Sequence, residues 1–328
     1  MSYKKRIASL VGKTPLWKLG EPFRKMPRIL FYHGVIDGDY YNAKVQANQI
    51  PYKNFKEEME FLNKEYVIIS LNEFYERFIQ KDKFSGKEIV ITFDDGYKNN
   101  LTVAAPLLQS LNIPFTVFVS TGLVDKEDFV PTYYIRSAIL SNKLNKIEVS
   151  VLKKRYSLNT SNRISIMNDL ISFIKTQKEE LVNEVLAEIE NQLGATNRSE
   201  INHHFESERI LSWKEVEQLA QMGVTIGSHS VDHSILHRNQ SDENIIKQLK
   251  DSKQAIIDHV GECRFFAFPN GDSSSVCSKS IVFSKNYYDM CFAVNGKSVS
   301  FNDSSAFISR IDACFELSLL KTQLSLLS

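Results

Sequence analysis

The chain has 328 residues, 43% hydrophobic and 24% charged, with a formal net charge of +1. This fits one large α/β barrel-sized domain carrying an insertion, or two domains. The near-neutral balance argues against nucleic acid as the principal partner. Cys263, Cys277, Cys291 and Cys314 form no Cys-x-x-Cys pair, so they read as buried free thiols in a reducing compartment rather than a zinc ribbon or redox motif. No apolar run approaches a membrane span, and no signal-peptide core with a cleavage site opens the chain. A cytoplasmic location is expected.

Residues 1 to 28 hold eight Lys or Arg against Glu21 alone, a net of 8 − 1 = +7, with Ile7, Leu10 and Val11 at helical spacing. Residues 1–26 therefore read either as a frayed basic tail or as an amphipathic segment in peripheral contact with an anionic membrane. Gly12-Lys13-Thr14 lacks the first glycine of a phosphate-binding loop, since Ile7 stands in its place. Residues 28–35 (Arg-Ile-Leu-Phe-Tyr-His-Gly-Val) read as a buried strand ending in His33 and Gly34. A helical stretch through Phe55, Met59 and Leu62 follows, then a strand at Tyr66 to Ile69. Ser70 with Glu73 makes a capping box that opens the next helix.

Glu88 to Gly96 reads as a strand buried on both faces, Ile89-Val90-Ile91-Thr92-Phe93, that surfaces at Asp94 and Asp95. Alternation and the turn let the two carboxylates point in different directions, and Gly96 permits the turn. Two adjacent acids beside a buried strand call for a cation or a shared proton, taken here as a metal, with a solvated turn as the plain alternative. A helix from about Asn99 to Leu111 and a buried strand at Phe115 to Val119 continue a βα rhythm, the pattern of a parallel barrel or doubly wound sheet.

Residues 124–209 break that rhythm, with a strand pair near Ile147 to Leu158 and a charged helical stretch from about Ile164 to Leu193. They read as an α-rich insertion in a βα loop, leaving 27–123 and 210–328 as the barrel. His203-His204 within it read as surface histidines. Ser212 with Glu215 caps the helix beginning at Trp213, and the strand Val224 to Gly227 leads into Ser228-His229-Ser230-Val231-Asp232-His233. His229 and His233 lie four apart, a spacing that puts two imidazoles on one side of a helical turn and is frequent in zinc sites. After a long helix, Arg264 to Phe268 is a strand ending at Pro269-Asn270-Gly271; Met290 to Val294 and Phe307 to Ile311 are short late strands. Arg310 sits in an apolar run and needs a carboxylate, either in the site or elsewhere.

Together these pieces resemble the polysaccharide deacetylases, the NodB-like enzymes of carbohydrate esterase family four. The resemblance rests on Thr92-Phe93-Asp94-Asp95-Gly96, Ser228-His229-Ser230-Val231-Asp232-His233 and Phe266-Ala267-Phe268-Pro269-Asn270-Gly271, in family order, and covers roughly residues 27 to 123 and 210 to 312. It implies a distorted (β/α) barrel and metal-dependent hydrolysis of N-acetyl groups on an amino-sugar glycan or glycan precursor. By motif, Asp95, His229 and His233 hold a divalent metal, usually zinc, and Asp94 is the general base. Tyr97, Pro269, Asn270 and Gly271 fall at substrate-contact positions, with a backbone N–H near Tyr97 facing the oxyanion. This chain lacks the usual C-terminal Leu-x-His acid. His33 in Tyr32-His33 resembles the acid of the branch acting on poly-N-acetylglucosamine, and Arg310 would orient Asp94. Asn270 replaces the family's common tyrosine. An O-deacetylase using the same site and a silent carbohydrate-binding barrel are the competing readings. A membrane-attached location at the inner face would suit a lipid-linked precursor.

Overall fold

The computed structural model describes residues 3–18, 25–126, 128–141, 144–295, 299–313 and 315–326; Cys314 lies outside them. In chain order the elements are α1 (Tyr3–Gly12), β1 (Arg28–Tyr32), β2 (Gly34–Ile36), β3 (Gln49–Pro51), α2 (Tyr52–Glu65), β4 (Val67–Ile68), α3 (Leu71–Gln80), β5 (Glu88–Phe93), α4 (Ala105–Ser110) and β6 (Phe115–Val119). Then come α5 (Pro131–Leu140), β7 (Lys146–Val149), β8 (Lys154–Ser157), α6 (Arg163–Ile174) and α7 (Glu179–His204). The last are α8 (Trp213–Gln221), β9 (Thr225–Ser228), α9 (Asp242–Val260), β10 (Phe265–Ala267), α10 (Ser278–Ser284), β11 (Met290–Val294), β12 (Ile308–Asp312) and α11 (Leu317–Leu326).

Seven parallel strands close on themselves in the order β1-β12-β11-β10-β9-β6-β5, with β5 returning to β1. The closed barrel is the one predicted, and β4 adds to β5 outside the ring. Every residue of β1, β5 and β6 is buried, because side chains of one parity fill the barrel and those of the other pack under the helices. Ile29, Val90, Phe118, Phe265, Phe292 and Ile308 share one cluster; Leu30, Ile89, Ile91, Val117, Phe266 and Ile311 belong to the other. The parity that places Val90 in the barrel carries on through Thr92 to Asp94.

Three local readings need correction. Residues 28–35 form two strands rather than one, because β2 leaves the ring to pair with β3. Val35 N–H donates to Asn99 Oδ1 at 3.2 Å and Asn100 Nδ2 donates to the His33 carbonyl at 2.8 Å, fixing His33 at the break. The helix after Tyr97 begins as a π-helix at Asn100–Ala104 before α4; Pro106 has no N–H for the Thr102 carbonyl, and the turn widens instead. Within the N-terminal segment, Tyr3–Gly12 is a docked helix rather than a frayed tail. Ser9 Oγ donates to Glu316 Oε1 at 2.5 Å and Thr322 Oγ1 to the Ala8 carbonyl at 2.6 Å. Ile7 and Leu10 remain 46% and 64% exposed. No helix among the described residues is long and apolar enough to cross a membrane.

Between β6 and α8 lie α5, the β7–β8 hairpin, α6 and α7. The hairpin is antiparallel, Ile147 opposite Tyr156, close to where the strand pair is predicted. The helix α5 is absent from the sequence reading. His203 and His204 are exposed, His204 stacked on Tyr41 at 4.0 Å between ring centroids.

Candidate metal centre

The predicted site residues reach the C-terminal end of the barrel from five strands, the end at which barrel chemistry is built. Asp94 and Asp95 follow β5, His33 follows β1, His229 and His233 follow β9, Asn270 follows β10, and Arg310 lies in β12. Asp95, Ser230, His233 and Asn270 all adopt left-handed backbone conformations, with φ between 55° and 73°. Such conformations cost free energy in non-glycine residues; here they turn side chains inward at the ends of three strands. Ser120 N–H donates to the Asp95 carbonyl at 3.3 Å, tying the ends of β5 and β6 together.

Asp95 Oδ1 lies 3.4 Å from His229 Nε2 and 3.2 Å from His233 Nε2. A tetrahedral ion with ligand bonds of about 2.0–2.1 Å would separate its ligands by about 3.3–3.4 Å. The fit to a divalent cation does not rest on spacing alone. His229 Nδ1 is 2.8 Å from the Ala267 carbonyl; a carbonyl only accepts, so Nδ1 carries the proton and Nε2 presents its lone pair. Asp95 Oδ1 is buried without a hydrogen-bond partner, an oxygen left for another ligand. Among the described residues, Asp95, His229 and His233 are the group whose ligand atoms converge, all within 4.8 Å of one another. Burial would raise the Asp95 pKa, but His233 and His229 hold it well below the usual carboxylate range.

Asp94 serves a different purpose. Arg310 Nη1 donates to its Oδ1 at 2.6 Å and Nη2 to its Oδ2 at 2.7 Å, a bidentate pair with both side chains nearly sealed from solvent. The guanidinium lies over Phe31 at 4.9 Å and Phe118 at 5.3 Å, and Nη1 also reaches Thr92 Oγ1 at 3.2 Å. Burial opposes ionisation of Asp94, yet Arg310, with His229 and His33, keeps its pKa below the ordinary value.

A cavity of about 260 Å³ opens above these groups, lined by His33, Asp94, Asp95, His229, His233 and Asn270 among others. Tyr97 does not line it. The ring is buried against Tyr133 at 6.0 Å, and burial and the Asp95 carboxylate raise its phenol far above its usual pKa. Pro269 is buried and Gly271 bends the chain at φ +60°, where a Cβ would meet Val294 Cγ2 at 3.0 Å. Of the four predicted substrate contacts, Asn270 alone faces the cavity. Sequence reasoning missed Asn48, Thr132, Arg136, Lys175 and Asp312, which also line the cavity, with Phe31, Ile235 and Val294 as its apolar wall. Arg136 carried a usable signal, being the one charged residue of α5; Lys175 carried none, since a lysine after a helix is ordinarily solvated.

The family model for polysaccharide deacetylase matches residues 81–282, more than half of the chain, and the chain belongs to that family. A Bacillus subtilis protein, YxkH, whose name assigns it to the polysaccharide deacetylases, is 32% identical over 107 residues, 32% of this chain and 36% of the relative. The match thus spans about a third of that relative's length. Among solved structures, the Streptococcus pyogenes deacetylase PplD in complex with acetate superposes with a TM-score of 0.56 at 17% identity, over 88% of this chain and 92% of its own. BC0361, a polysaccharide deacetylase from Bacillus cereus, gives 0.56 at 17% identity over 92% and 70%. At these identities the likeness establishes the fold.

Proposed function

We propose that this chain is a metal-dependent hydrolase that removes N-acetyl groups from an amino-sugar glycan or glycan precursor. One observation carries the reading. A convergent Asp95, His229 and His233 set stands beside a second, unliganded carboxylate, Asp94, that Arg310 keeps ionised. A carbohydrate-binding barrel has no use for a buried base beside a ligand set.

Asp95, His229 and His233 would hold the ion, with zinc the natural occupant of a His₂-carboxylate set. When bound, a divalent ion supplies Lewis acidity toward water and toward the amide carbonyl. Asp94 accepts the proton as water adds to the acetyl carbon. Arg310 fixes the direction of its carboxylate without protonating it. His33 faces the same cavity, close enough to both aspartates to lower their pKa values, and delivers a proton to the departing nitrogen as the C–N bond breaks. The products are acetate and a free amine. Use of His33 in place of a C-terminal histidine is the feature shared with the branch bearing an N-terminal Tyr-His motif. At about 260 Å³ the cavity falls just below the usual size of ligand sites, about 300–1,000 Å³, suiting the acetylated end of a substrate.

The test compares Asp95→Ala with Asp94→Asn. The first should lose metal and activity together; the second should bind one equivalent of zinc by calorimetry yet release no acetate from N-acetylated oligosaccharides. Turnover by Asp94→Asn would overturn the mechanism, and release from O-acetylated but not N-acetylated sugars would reassign the enzyme as an esterase.

A further inference from the structure

Two cations enter the cavity from the segment between β6 and β9. Arg136 comes from α5, and Lys175 follows the last residue of α6. Their hydrogen bonds go to neutral amides: Arg136 Nη1 donates to Asn48 Oδ1 at 3.3 Å, and Lys175 Nζ donates to Asn270 Oδ1 at 2.7 Å. Burial and the neighbouring Arg136 lower the Lys175 pKa, with Asp272 opposing them, so two like charges share a partly desolvated space and, among the described residues, neither donates a hydrogen bond to a carboxylate. Cations so placed are costly unless an anion joins them.

Asn270 ties this arrangement to the deacetylase motif. Its Nδ2 donates to Asp272 Oδ2 at 2.7 Å and to Ser275 Oγ at 2.5 Å. With its amine end so occupied, the amide must turn Oδ1 toward Lys175. The asparagine that departs from the family's usual tyrosine is thus the residue that positions the lysine. Lys175 and Asn270 also line a neighbouring open cleft of about 830 Å³, whose walls include Arg238, Ser273, Ser274 and Lys279. Lys279 is already paired with Asp242 at 2.6 Å, whereas Lys175 donates its hydrogen bond to the neutral Asn270 amide.

We propose that the substrate is a phosphorylated acetylated sugar, its phosphate seated between Arg136 and Lys175 while the acetamido group faces Asp94 and Asp95. This rests on the deacetylase reading and names its substrate class. A phosphate ester brings up to two negative charges and three acceptor oxygens, matched by a planar guanidinium fork and an ammonium. A carboxylated sugar would bring one charge to two cations. A neutral sugar would bring none.

The test uses the zinc-loaded full chain and measures acetate release from N-acetylglucosamine, N-acetylglucosamine 1-phosphate, UDP-N-acetylglucosamine and N-acetylmuramic acid. The phosphorylated sugars should exceed N-acetylglucosamine in kcat/KM by about 10- to 100-fold. Lys175→Met and Arg136→Gln should each lower that ratio about tenfold, with Lys175→Arg restoring most of it. Preference for the diphosphate over the monophosphate would identify a nucleotide- or lipid-linked source; the reverse order, a free sugar phosphate. Equal rates on phosphorylated and neutral sugars, a ratio unmoved by both variants, or preference for N-acetylmuramic acid would overturn the proposal and leave the deacetylase reading standing. If no sugar releases acetate, the deacetylase reading fails, and calorimetry with N-acetylglucosamine 1-phosphate decides the phosphate site alone. Binding lost in Lys175→Met supports it, and no binding by the unmodified chain overturns it.

Discussion

Replacing Arg310 with methionine should cost this protein more than almost any other single change. Arg310 is fully buried and supplies every hydrogen bond found for the Asp94 carboxylate. Methionine approximates the stem's volume and adapts to irregular space, so the loss is mainly electrostatic. Breaking a buried pair by removing one partner costs about 3–5 kcal/mol, and losing the stacking on Phe31 and Phe118 adds about 1 kcal/mol. Asp94→Asn strands the guanidinium instead and should cost a comparable amount. The informative assay is urea unfolding of both single variants and the double variant. Because each single change strands the other's buried charge and the double variant strands neither, the double variant should be about 3 kcal/mol more stable than additivity requires. Additivity within about 0.5 kcal/mol would refute the claim that one ion pair organises the base.

Other outcomes follow from the same structure. Glu58 is buried against the Tyr32 hydroxyl at 2.8 Å, and burial pushes its pKa up to about 8 from 4.5. Between those pH values the folded state keeps a proton that the unfolded state has lost, so stability falls with rising pH by up to about 1.4 kcal/mol per unit. Glu58→Gln should flatten that slope in urea midpoints at pH 5 and pH 7.5, and an unchanged slope would discredit it. A Cβ at Gly227 would lie 2.5 Å from two carbons of the Phe118 ring; Gly227→Ala should destabilise by about 1–3 kcal/mol, read as a lower Tm, and a Tm at or above the unmodified protein's would contradict that packing. His33→Gln should reduce kcat about 100-fold or more with little change in zinc affinity, and full activity would remove His33 from the mechanism.

The ring of strands was legible because a strand covered on both faces carries a continuous apolar run, as β1, β5 and β6 do. The carboxylates and imidazoles were legible because they interrupt such runs. What escaped depends on contacts between distant segments. The strand break at His33 follows from Asn99 and Asn100, some sixty-six residues away in sequence, and apolar periodicity carries no trace of it. Tyr97 is expected at the substrate from its place in the motif, through a backbone N–H; that its ring packs into the core follows from the bridge between Tyr97 and Ile210, a long-range contact that the motif does not carry. The most consequential omission was α5, whose lone arginine followed the same pattern that drew attention to Arg310.

The most direct test is acetate release from an N-acetylated oligosaccharide as zinc is titrated into metal-free protein. The rate should climb from background to a plateau at one equivalent, with Asp95→Ala, His229→Ala and His233→Ala remaining at background. A metal-free protein as fast as the loaded one, or a plateau reached unchanged without these three side chains, would contradict the assignment.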